Sequence, residues 1–83
     1  MIVPKISSVS TTTPYNLLVT FDNQQKRKYD VSPLLKKDMF LPLKNRVLFN
    51  SVQVEQGGYA VVWNDCIDIS EYELWMNGEV VIQ

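Results

Sequence analysis

Eighty-three residues, 46% of them apolar, with a net charge of −1, describe one small domain (residues 1–83) with room for one core. There is no histidine, and Cys66 is the single cysteine. These counts exclude Ser-His-Asp and Cys-His catalysis, imidazole metal sites and any internal disulfide.

In chain order, residues 3–10 read as a first strand. Ile6 and Val9 fall on opposite faces, so a bulge or bend is expected in it. Thr11-Thr12-Thr13-Pro14 reads as the connection to YNLLVTFD, residues 15–22. There Tyr15, Leu17, Val19 and Phe21 alternate onto one face. Asn23-Gln24 turns the chain into a strand at 25–31, with Tyr29 and Val31 toward the core. Ser32 as N-cap and Pro33 at the first helical position start a short helix, held by Leu34 and Leu35. Met39 to Leu43 is an apolar, irregular connector, and Asn45 caps one more turn, Arg46 to Phe49.

A second group of elements follows. Val52 and Val54 point inward from a strand at 51–55. Gly57-Gly58 reads as a two-residue hairpin loop that needs positive φ. The return strand, 59–63, carries Tyr59, Val61 and Trp63 on one face. Asn64-Asp65 is a turn dipeptide, and Cys66 to Asp68 is a short extended piece. Ser70 and Glu73 then form a capping box, with Ile69 and Leu74 as its hydrophobic staple. Asn77-Gly78 ends that helix, and residues 79–82 read as a last edge strand. The predicted core is Leu17, Val19, Phe21, Tyr29, Leu34, Phe49, Val52, Val54, Val61, Trp63, Ile67, Ile69 and Leu74. The expected fold is α+β: a small, mainly antiparallel sheet of hairpins with two short helices packed on it.

The net charge hides an asymmetry. From Lys5 to Arg46 there are eight basic and three acidic residues, +5; beyond Arg46 there are six acids and no base, −6. Either the halves neutralise each other on packing, or a bipolar surface meets a partner or a second copy. The basic run Lys26-Arg27-Lys28 is divided between two faces by strand alternation, so nucleic-acid binding by this chain alone is not expected. No apolar run approaches a membrane span, the N-terminus lacks a signal-peptide core, and one cysteine suits a reducing compartment. A cytoplasmic protein without a membrane partner is expected.

WNDCIDIS, residues 63–70, holds the densest candidate chemistry. Asp65 and Asp68 form a carboxylate pair, but a hard-cation site wants more oxygen ligands and an acid/base pair wants one member in an apolar pocket. Both aspartates read as turn and junction residues. Cys66 has no histidine to activate it and reads as a small half-buried side chain. A faint echo links Asp30-Val31-Ser32 to Asp68-Ile69-Ser70 and gives both aspartates a backbone role. No glycine-rich phosphate loop is present, and no metal, cofactor or enzyme activity is expected. Trp75 and Met76 cannot both face inward, which makes Trp75 a candidate contact residue.

LLVTFDNQQKRKYDVSPLL followed by MFLPLKNRVLFNSVQVEQGGYAVVWNDCIDISEYELW resembles a bacterial family called domain of unknown function 2442, over about residues 4–78. Phe21-Asp22, Tyr29-Asp30-Val31, Leu48-Phe49 and above all Trp63 with Ile67-Asp68-Ile69-Ser70 carry the likeness. The turn after the tryptophan departs from the family's usual Pro and Gly: it reads Asn64-Asp65-Cys66. The resemblance implies a small stand-alone α+β domain without established enzyme activity. It also implies an antitoxin-like role beside another small protein, through gene neighbourhood in some members.

Three functional readings follow. The first is a non-enzymatic protein-interaction module whose Asp68, Glu71, Glu73 and Trp75 meet a small basic protein, as an antitoxin-like partner would. The second is a small-ligand-binding domain with a pocket at Tyr59 and Trp63. The third is a structural homo-oligomer that associates through a sheet edge or the Met39–Leu43 connector.

Overall fold

The structure is a computed structural model that describes residues 2–82. Seven strands form two antiparallel sheets. In chain order they are β1 (Ile6–Thr12), β2 (Asn16–Phe21), β3 (Lys26–Asp30), β4 (Gln53–Val54), β5 (Ala60–Asn64), β6 (Ile67–Ser70) and β7 (Glu79–Val80). The first sheet has the order β1-β2-β3-β7 and the second β4-β5-β6. Two α-helices, α1 (Arg46–Phe49) and α2 (Glu71–Asn77), join them, with 3-10 turns at Ser32–Lys36 and Leu41–Lys44. The α+β architecture is the expected one.

β2 organises the first sheet because its alternation is clean. Leu17, Val19 and Phe21 are completely buried, and the strand pairs with β1 on one side and β3 on the other. β1 has its irregularity between Ile6 and Ser8, as the phase of Ile6 and Val9 predicts. The strand runs on through Thr11 and Thr12, so the connection is shorter than expected. Gln24, with φ of 71°, closes the β2–β3 turn.

The two sheets share one core. Phe49, Val61, Trp63, Ile67 and Ile69 meet the β2 side chains there, and Leu74 of α2 closes it. Ile6 N–H donates to Gly58 O at 2.9 Å and ties β1 to the β4–β5 hairpin. α2 leaves β6 and lies against β3, so it bridges the sheets.

Several local expectations are corrected. Val31, not Ser32, is the N-cap of the first 3-10 turn; Ser32 N–H donates to Asp30 Oδ1 at 2.9 Å. The β4–β5 loop has four residues, since Glu55 N–H donates to Ala60 O; both glycines nonetheless have positive φ, 98° and 79°. Leu34, Val52 and Val54 are half-buried, while Ile6, Val31, Leu35, Leu43 and Ala60 are buried. Leu43 enters the core because a 3-10 turn gives the connector a regular inner side. Gly78 ends α2 with an extended φ of −74°. A Cβ there would lie 2.9 Å from Arg27 Cβ, so close approach rather than positive φ explains the glycine.

Candidate functional site

The segment 63–70 is a strand, a turn and an edge strand that passes into a helix. Trp63, next to last in β5, stacks on Phe49 with the two rings 24° apart, and its Nε1–H donates to Phe49 O at 2.9 Å. Asn64 Oδ1 accepts from Cys66 N–H at 2.8 Å and Ile67 N–H at 3.0 Å, so its side chain builds the turn. Cys66 is thereby lifted to the turn's tip and is exposed, not half-buried. Ile67 and Ile69 alternate inward, and Asp68 and Ser70 outward.

Ser70 Oγ accepts from Glu73 N–H at 3.1 Å and caps α2. The capping box is one-sided. Glu73 turns away from the cap and accepts from Tyr29 O–H at 2.8 Å and from Asn77 Nδ2–H at 2.9 Å. Tyr29 lies on β3, so this contact latches helix to sheet. Burial pushes the Tyr29 hydroxyl well above its usual range; the hydrogen bond to Glu73 and the charge of that carboxylate push the same way.

A phenol whose proton is held more tightly in the fold ionises first in the unfolded chain. Its stabilising contribution is complete below the unfolded value near pH ~10, and is lost as pH rises toward the folded value. Urea unfolding between about pH 8 and 11 should therefore show a steeper alkaline loss in the native chain than in Tyr29→Phe. Equal slopes would mean that Tyr29 is not the group responsible.

Two hollows flank Asp68. The larger, about 510 Å3, is a polar depression on the outer face of the second sheet, between Gln53, Val62, Trp63 and Asp65. The smaller, about 290 Å3, is a groove along β6. Leu34, Phe40 and Ile69 give the groove an apolar floor. Asp68 and Glu73 supply acid, Lys37 a single cation, and Tyr29 and Ser70 hydroxyls. The groove combines a partly buried apolar floor with charge, where the larger hollow is mostly polar.

The proposed contact residues divide. Asp68 and Glu73 meet in the groove. At 3.6 residues per turn, Glu71 and Trp75 share one side of α2 and Glu73 lies nearly opposite. Trp75 is half-buried, with its ring edge-on to Phe21 at 5.1 Å and the Arg27 guanidinium 3.8 Å from its centroid. That cation–π contact belongs to an arginine only 7% exposed. Trp63 lines the larger hollow, and Tyr59 lines neither of the two. Tyr59 is 54% exposed, with Lys5 Nζ 4.5 Å above its ring, and Trp63 is buried. The sequence does not point to Leu34, Lys37 or Phe40 as site residues, since only the tertiary fold lays their segment beside β6.

The echo between the two Asp-x-Ser segments also divides. Asp30 accepts from Ser32 N–H, but among the described residues Asp68 has no counterpart to that bond. The Asp68 carboxylate is exposed and free of the turn.

The family model described as protein of unknown function (DUF2442) matches residues 6–79. The chain belongs to the DUF2442 family. Comparison with curated proteins and with solved structures found no match. In this DUF2442 domain, the tryptophan and the IDIS segment are thus placed as core, edge strand and helix cap. Among the described residues, no three His, Cys, Asp or Glu side chains are grouped to hold a metal. Among the described residues, no helix is long and apolar enough to cross a membrane.

Proposed function

We propose that this domain is a non-enzymatic protein-interaction module that meets a basic partner at the acidic edge where β6 passes into α2. The observation that carries the reading is Asp68: an exposed carboxylate, free of the turn, on the rim shared by both hollows. Uncommitted charge beside a half-buried apolar floor is the composition of an interface. A small basic protein, as in an antitoxin-like pair, has the charge this edge accepts. A cytoplasmic setting accords with the single unpaired cysteine.

Support for a small-ligand pocket is weaker. Trp63 Nε1 is already bonded to Phe49 O, and the 510 Å3 hollow that Trp63 lines is an open, polar depression, whereas ligand pockets are concave and mostly apolar. Met39 and Leu41, 49% and 44% exposed on the connector, favour homo-oligomer formation as a second reading, which light scattering on the eluting protein tests.

The main test is calorimetric titration with the protein encoded beside this one. Asp68→Lys with Glu71→Lys should weaken binding about tenfold at low salt, and the loss should shrink toward ~1 M salt. Affinity indifferent to both charge and salt would end the acidic-edge reading. Glu73 is left intact because its reversal would break the latch to Tyr29.

A further inference from the structure

β6 is an outer strand of the second sheet, and the alternation of its hydrogen bonds decides what it offers. Glu71 N–H donates to Tyr59 O at 2.9 Å. Ala60 faces Ser70, Val61 faces Ile69 and Val62 faces Asp68. Bonded and non-bonded pairs alternate along an antiparallel ladder. Val61–Ile69 is therefore a bonded pair, and Ala60–Ser70 and Val62–Asp68 are not. The other side of β5 agrees, since Glu55 N–H donates to Ala60 O at 2.8 Å and turns the Ala60 and Val62 backbones toward β4. Asp68 N–H, Asp68 C=O and Ser70 N–H consequently point away from β5. They point along the edge where Asp68, Ile69 and Ser70 line the groove.

We propose that this edge takes up an extended segment of the basic partner by strand addition, as a fourth strand beside β6. The inference rests on the acidic-edge reading and names the form the partner takes there. Backbone groups of Asp68 and Ser70 supply up to three hydrogen bonds. Side chains of an added strand alternate between faces. The residue opposite Asp68 shares its outward face and is lysine or arginine. The residues on either side of it face inward, over Leu34, Phe40 and Ile69, and are apolar. The recognised pattern is apolar–basic–apolar. A second copy of β6 is a poor occupant, because self-pairing sets Asp68 near its own kind.

The probe is a displayed library of short random peptides selected on the whole chain at low salt. The consensus peptide is then titrated into the isotopically labelled chain and followed by NMR. Selected peptides should carry the apolar–basic–apolar pattern, and the Asp68 and Ser70 amides should shift and gain protection from exchange. Methylating the peptide nitrogen that faces Asp68 should weaken binding about tenfold, and Asp68→Ala about threefold. Basic peptides that bind without moving those amides, and that tolerate N-methylation, would overturn strand addition and leave the acidic edge standing. Selected peptides without lysine or arginine would overturn both.

Discussion

Phe49→Ala is expected to cost about 3–5 kcal/mol, as much as a domain of this size has to lose. Phe49 is completely buried. Its ring takes the edge of Tyr15 at 5.2 Å and stacks on Trp63 at 6.1 Å. Its carbonyl receives the Trp63 indole N–H. Truncation opens a cavity between the sheets and removes the surface that orients Trp63. Chemical denaturation of Phe49→Ala should show no folded baseline, or a midpoint far below that of the native chain. Phe49→Leu, which keeps most of the volume, should retain a cooperative transition. A native-like midpoint for the alanine variant would mean that the core does not depend on the α1 turn.

Much of the α+β fold was legible because its signals are local. Leu17, Val19 and Phe21 announce β2 by strict alternation, Asn45 announces α1 through its capping oxygen, and Ser70 announces α2 in the same way. What escaped depends on neighbours distant in sequence. Leu43 reads as part of a loose connector, yet it is completely buried. Arg27 reads only as the middle of a basic run split between two faces, and it is buried because Trp75 arrives from α2 to cover it. Glu73 has the spacing of a capping-box partner, but the Tyr29 hydroxyl competes for its carboxylate and prevails.

The candidate site was legible in half. The sequence singles out Asp68 and Glu73, and the fold sets them on one groove. It cannot show that the groove's apolar floor comes from residues 34–40, more than twenty positions earlier. Nor can it separate Asp30 from Asp68, which stand in the same local pattern. Asp30 is followed by proline at position 33 and a 3-10 turn, and its carboxylate is drawn onto Ser32 N–H. Asp68 lies inside a strand, where extended backbone carries the Ser70 N–H out to the edge. The same tetrapeptide logic thus braces a turn in one place and leaves charge free in the other.

Gly58→Ala should be the more damaging of the two hairpin-glycine substitutions. Both glycines have positive φ, so an alanine at either position carries backbone strain of roughly 1–2 kcal/mol. Their surroundings differ. A Cβ on Gly57 meets the Tyr59 ring at 3.0 Å, and that ring is exposed and can swing aside. A Cβ on Gly58 meets the Ile6 carbonyl oxygen at 2.6 Å and the Ile6 nitrogen at 3.0 Å, which are backbone atoms of β1. Relieving that clash pushes β1 from the hairpin and breaks the Ile6 N–H to Gly58 O bond between the sheets. The total for Gly58→Ala is then about 2–4 kcal/mol, against 1–2 for Gly57→Ala. Urea midpoints of the two variants check the ranking, and amide exchange at Ile6 checks its cause. Equal losses, with Ile6 still protected in Gly58→Ala, would show that φ alone sets the cost and that the seam between the sheets tolerates a side chain.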